Sequence, residues 1–173
     1  MSRVVLILIL ACSWFQNPTS AQEPGFLRHI INSDSTFSGC AVFDVNADGR
    51  LDIVSGGWWY EAPTWEKHFL RDVEEIRGRF DDYSNLSFDV NGDGHLDYIS
   101  CNYRSESIYW VEHPGANLAA GAAWERHVAA TPGAMETGRL CDIDGDGRLD
   151  VLPNGTKFAA WWHIEPGETP GWT

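Results

Sequence analysis

One ten-residue phrase occurs three times, as "DVNADGRLDI" (44–53), "DVNGDGHLDY" (89–98) and "DIDGDGRLDV" (142–151). Recurrence of so specific a pattern constrains the chain strongly. Each copy asks for the same backbone path, so the fold is an array of one small unit. The copies begin 45 and 53 residues apart, the length of a supersecondary unit rather than of a domain. Other landmarks recur in the same order. An aromatic-x-x-His element precedes each phrase, at Phe26-Leu27-Arg28-His29, Trp65-Glu66-Lys67-His68 and Trp124-Glu125-Arg126-His127. An aromatic segment ending in Glu and Pro follows each, as "WWYEAP" (58–63), "IYWVEHP" (108–114) and "WWHIEP" (161–166).

The stretches between landmarks are short, rich in β-branched and aromatic residues, and punctuated by Gly, Pro and Asn, which predicts strands. Each unit reads as strand, acidic turn, strand, aromatic strand, Trp-x-x-His strand. Four short antiparallel strands per repeat are what a propeller blade requires, with a tandem sandwich as the rival. The expected fold is therefore all-β, a partial propeller of about three four-stranded blades. The alanine-rich "NLAAGAAWE" (117–125) is broken by Gly121 and is read as a loop insertion.

Counting the first aspartate of each phrase as position 1, oxygen-bearing side chains fall at positions 1, 3, 5 and 9: Asp44, Asn46, Asp48, Asp52; Asp89, Asn91, Asp93, Asp97; Asp142, Asp144, Asp146, Asp150. Glycine occupies position 6 each time, and the carbonyl of position 7 (Arg50, His95, Arg148) adds a further donor. Such a set of hard oxygens on a tight turn suits Ca²⁺, which takes about six to eight oxygens, better than Mg²⁺, which keeps its waters. An EF-hand is excluded, because position 12 is Ser55, Ser100 and Pro153 instead of Glu and the flanks are strand-like. The expectation is up to three structural calcium ions, each stiffening a turn.

With D-x-[DN]-x-D-G-x-L-D between strands and repeated, the chain resembles the FG-GAP/VCBS repeat family of calcium-binding β-propellers, whose loops are similar to those of integrin α-subunits. The resemblance covers about residues 26–172 and implies that the twelve side chains above are calcium ligands. It implies no catalytic residue. Family propellers close with more blades than three. The ending "ETPGWT", where Trp172 starts another Trp-x-x-His, reads as a truncated frame, so closure is expected to need further blades or self-association.

Net charge is −13, and ten of the 25 acidic residues lie in the three phrases, which argues against nucleic acid and anionic membranes as partners. At the N-terminus, Arg3, an apolar run from Val4 to Ala11 and the small residues Thr19-Ser20-Ala21 predict an export signal over 1–21, followed by the repeat region 22–173. A variant reading lipidates Cys12. The apolar run is too short to span a bilayer, and no later segment is a transmembrane candidate. The protein is thus expected to be secreted, periplasmic or held at the cell surface. Cys40, Cys101 and Cys141 then remain, an odd set that permits one disulfide without requiring it, with Cys141 expected as apolar filler.

His29, His68 and His127 recur at equivalent places and are read as structural. His113 and His163 lie near the aromatic segments with no nucleophile to pair with. Trp58, Trp59, Tyr109, Trp110, Trp161 and Trp162 are read as core, with sugar stacking the alternative. The segment "DVEEIRGRFDDYSN" (72–85) is read as a solvated interblade loop, with Glu74, Glu75, Asp81 and Asp82 beside Arg77 and Arg79 as ligand-recognising groups in the alternative. Absent any catalytic motif, the functional expectation is a secreted calcium-binding module for extracellular carbohydrate or protein. The alternatives are a fragment of a carbohydrate-active lyase or dehydratase, and a non-functional remnant.

Overall fold

A computed structural model describes residues 25–173. The expected export signal and Cys12 lie outside them. Residues 25–30 contain no strand or helix and are exposed, so His29 has no packed role there. Everything below concerns residues 31–173.

Three four-stranded antiparallel sheets follow one another, each a simple meander. The first holds β1 (Ala41–Phe43), β2 (Asp52–Ser55), β3 (Trp58–Glu61) and β4 (Glu66–Phe69). A two-stranded hairpin, β5 (Glu75–Ile76) and β6 (Arg79–Phe80), leads to the second sheet of β7 (Leu86–Phe88), β8 (Asp97–Cys101), β9 (Ile108–Glu112) and β10 (Glu125–Ala130). The third holds β11 (Met135–Cys141), β12 (Asp150–Gly155), β13 (Trp162–Glu165) and β14 (Gly171–Trp172). Every Asp phrase spans the β1–β2 type of turn, and every aromatic segment forms the third strand, as the sequence predicts. The architecture is a partial propeller of three blades, with inner strand β7 in contact with β1 on one side and β11 on the other.

Strand periodicity explains the stacking. Successive side chains point to opposite faces, and the second blade is apolar on both. Tyr98, Tyr109 and Val111 face the first blade, in a core with Phe43, Val45, Val54, Trp59 and Leu70. Their neighbours Ile99, Cys101, Ile108 and Trp110 face the third, in a core with Val90, Met135, Val151 and Ile164. Each fully buried side chain of this size contributes about 1.5–3 kcal/mol, so the middle blade is held from both sides.

Three expectations are corrected. The alanine-rich insertion is a 3₁₀ helix, Gly115–Ala120, closed by Gly121 in the left-handed region at φ 69°. Residues 72–85 are not a solvated loop. Arg77 and Gly78 turn a hairpin with positive φ, and the chain after it plunges inward, burying Asp81, Asp82, Ser84 and Asn85. Cys141 is half-buried rather than filler, and all three cysteines among the described residues are free thiols. The buried Cys101 thiol is pushed up to about 12 by desolvation, which keeps it unreactive.

The buried stretch forms a polar seam between blades one and two. Arg71 donates from Nε to the Tyr98 hydroxyl (2.7 Å) and from a terminal nitrogen to the Tyr109 hydroxyl (2.7 Å), and its guanidinium lies 3.4 Å from Asp82 Oδ1. The Tyr109 hydroxyl in turn donates to the carbonyl of Asp81. A sequence cannot show this closure, because Arg71 meets partners 27 and 38 residues away.

Candidate functional site

All three acidic turns fold alike. The position 1 aspartate accepts the N–H of position 6 at 2.8, 3.0 and 3.0 Å (Asp44 from Gly49, Asp89 from Gly94, Asp142 from Gly147). The position 5 aspartate accepts the N–H of position 7 at 2.8 Å in each. Curling the chain this tightly puts position 6 in the left-handed region, at φ 86°, 89° and 89°, which only glycine adopts without strain. Position 4 is left-handed too. Gly92 and Gly145 meet that demand, but Ala47 stands there at φ 59°. Ala47→Gly is therefore expected to stabilise the protein by about 0.5–1 kcal/mol, the relief of strain exceeding the added chain entropy, as read from the urea midpoint.

Position 9 differs from the others. Asp52, Asp97 and Asp150 are wholly buried. One oxygen of each accepts the position 2 N–H, at 3.0, 2.9 and 2.9 Å from Val45, Val90 and Ile143. The second oxygen accepts Ala62 N–H (2.8 Å) in blade one and His113 N–H (2.8 Å) in blade two, and meets His163 Nδ1 (3.0 Å) in blade three. These residues anchor the turn to the third strand. Burial pushes the Asp97 carboxyl up to about 6, against the two N–H bonds that favour its charge.

Position 3 is held from the third strand as well. Asn46 Nδ2 donates to Glu61 (3.1 Å) and Asn91 Nδ2 to Glu112 (3.2 Å), which turns each amide oxygen into the loop, onto the Asp48 and Asp93 N–H. Behind them, Glu61 lies 2.9 Å from His68 and Glu112 2.8 Å from His127. The two imidazoles stack on Trp59 and Trp110, with ring centroids 4.2 and 4.5 Å apart. The recurring Glu and Trp-x-x-His elements thus belong to one assembly with the acidic turn. Their common period is the signal that could have revealed it.

The third blade inverts the pair. Strand register sets Ile53 opposite Tyr60 and Tyr98 opposite Val111, so Glu61 and Glu112 stand beside position 9. In blade three the residue opposite Asp150 is His163. Glu165, which the sequence pattern takes as the counterpart of Glu61, lies two residues further on. Where the first blades have Asn in the turn and Glu on the strand, the third has Asp144 and His163. Negative charge has moved from the scaffold into the loop.

Side-chain oxygens of Asp142, Asp144 and Asp150 lie within 4.8 Å of one another. Ligands on opposite sides of a Ca²⁺ ion are separated by about 4.6–5.2 Å, so these oxygens fit one coordination sphere. Asp146 groups instead with Asp144 and His163, and its carboxyl is held below its usual range by the Arg148 N–H and, with it, the Arg148 guanidinium. Arg148 and Arg50 fold their side chains onto the position 5 carboxylates, whereas His95 stacks on His113. His113 ties the blades together: its Nδ1 accepts the Gly115 N–H, which leaves Nε2 to donate to the Val45 carbonyl of the first turn (2.9 Å). Burial lowers its pKa below the usual histidine range.

Residues 89–152 match the family model described as an FG-GAP-like repeat. Over this segment the chain is similar to an FG-GAP-like repeat. That match spans the second acidic turn, strands β8 to β11 and the third turn, so two turns with the same hydrogen bonds are inside it, and the first turn repeats them outside it. No curated protein and no solved structure matches the chain. Among the described residues no helix is long and apolar enough to cross a membrane.

Beside the first two acidic turns lie grooves of about 510 and 480 Å³. The first is lined by Asn46, Trp59, Glu61 and His68 and roofed by the 3₁₀ helix. The second has the equivalent Asn91, Trp110, Glu112 and His127, with Trp172 across from them. By contrast, Trp58 is engaged by Lys67 and Phe69.

Proposed function

We propose that this is a secreted, calcium-braced propeller module that acts by binding. The supporting observation is one hydrogen-bonded turn repeated three times, each anchored by a buried aspartate, with the carboxylate oxygens of Asp142, Asp144 and Asp150 drawn together in the third. Asp44, Asn46, Asp48, Asp52 and the Arg50 carbonyl would hold one ion. Asp89, Asn91, Asp93, Asp97 and the His95 carbonyl would hold a second, and Asp142, Asp144, Asp146, Asp150 and the Arg148 carbonyl a third. Bound calcium neutralises the clustered charge and stiffens the turn. Thermal melts in millimolar calcium and in EDTA test this: calcium is expected to raise Tm, and identical melts would sink the reading. The third turn carries one more ligand carboxylate and is expected to bind tightest. Asp144→Asn should weaken the strongest site in a calcium titration by about tenfold, since affinity follows ligand charge.

The grooves favour extracellular carbohydrate as ligand. Each combines an amide, a carboxylate and an imidazole beside an aromatic wall, which suits a hydroxyl-rich ring. A glycan array probed with the calcium-loaded chain should find a sugar whose binding falls in His68→Ala or His127→Ala. A broad array without a hit would count against it.

A further inference from the structure

We propose that the second blade holds a zinc ion on Glu112, Glu125 and His127, at the edge of the groove that Glu112 and His127 line. Strand geometry puts the three together. Glu125 and His127 are alternate residues of β10 and so share one face, and Glu112 stands directly opposite Glu125 on β9. One carboxylate oxygen of each glutamate and one ring nitrogen of His127 lie within 4.8 Å of one another. His127 Nε2 is 2.8 Å from Glu112 Oε2. A tetrahedral zinc ion separates its ligand atoms by about 3.3 Å, and the exposed Glu125 side chain is free to close that distance. Three protein ligands leave the fourth position to water or a ligand.

Charge and donor type choose the occupant. Carboxylates directly opposite one another on a ladder repel, and the one imidazole beside Glu112 and Glu125 offsets at most one of their two charges. A divalent cation offsets both. An imidazole nitrogen joined by two carboxylate oxygens suits zinc, whereas calcium takes oxygens alone. Two of the ligands are also held in place. Asn91 Nδ2 donates to the other oxygen of Glu112 at 3.2 Å, and the His127 ring stacks on Trp110 with centroids 4.5 Å apart. Outer contacts of this kind orient metal ligands and strengthen the site. The first blade repeats the pieces, with Glu66 opposite Glu61 and His68 Nε2 2.9 Å from Glu61 Oε2. The pairing of like charges beside an imidazole is thus a property of the repeat, and the second blade, flanked on both sides, draws all three ligand atoms together. None of the three belongs to an acidic turn, so the site stands apart from the calcium reading.

Calorimetric titration of the full chain with zinc at neutral pH, with millimolar calcium present to compete at the acidic turns, is expected to show binding with a Kd of about 10 μM or tighter. Glu125→Gln alters only an exposed side chain and should weaken that binding at least about tenfold, and His127→Ala about a hundredfold. Glu66→Gln, the same exposed change in the first blade, should leave it as in wild type. A wild-type chain that takes up no zinc in calcium overturns the proposal. So does zinc binding that Glu125→Gln and His127→Ala leave unchanged, or that Glu66→Gln removes, since the metal would then sit elsewhere.

Discussion

Asp97→Ala is expected to destabilise the folded chain by about 3–5 kcal/mol, and most of that loss should persist in EDTA. The carboxylate is completely buried and accepts the Val90 N–H at 2.9 Å and the His113 N–H at 2.8 Å. Removing it strands two buried donors, each costing about 1–3 kcal/mol, and leaves a small void. Asp93→Asn makes the contrast. Its side chain is exposed in the turn, so the substitution should remove only the increment that calcium adds. Urea unfolding of the two variants with and without calcium separates anchoring from ion binding. An Asp97→Ala variant as stable as wild type in EDTA would show that position 9 matters only through the metal.

Arg71→Leu should cost about 3–5 kcal/mol at pH 8, because it leaves the Tyr98 and Tyr109 hydroxyls and the Asp82 carboxyl buried without their shared donor. The loss should shrink at pH 5. Burial pushes Asp82 up to about 7 against the pull of Arg71, and a protonated Asp82 no longer needs the cation. The same shift makes wild-type stability depend on pH. The unfolded carboxyl titrates near 3.9, so between about pH 4 and 7 the folded state holds a proton that the unfolded state has lost. This group's contribution therefore falls as pH rises through that window, by up to about 1.4 kcal/mol per unit, and levels off above it. Asp82→Asn should reduce the slope in EDTA melts taken at pH 5 and 7.5, leaving the share that the raised Asp97 carboxyl contributes.

What the sequence made legible follows from how local each feature is. The acidic turns are set by residues within ten positions of one another, so their Asp and Asn spacing, glycine and flanking strands could be read directly. The blade followed from the order of landmarks, because a meander joins only sequential strands. Arg71 was invisible for the opposite reason, since its partners come from another blade. The misalignment at Glu165 has a different cause. A Glu-Pro pair is a weak marker of register, and only the pairing of Asp150 with His163 reveals that chemistry has been exchanged between loop and strand. Asp81 and Asp82 misled because a run of charge ordinarily marks a solvated segment, and here Arg71, from the connection after β4, draws it inside.

The middle blade, packed on both faces, has a consequence for how the molecule opens. In a linear array each unit is stabilised by its neighbours, and among the described residues the second blade is the one with two. Amide hydrogens of β8 and β9 should then exchange with solvent only through unfolding of the whole array, while those of β4 and β14 exchange through local fraying of the outer strands. Unfolding would proceed from the flanks inward, and the second blade would be the last element to lose protection.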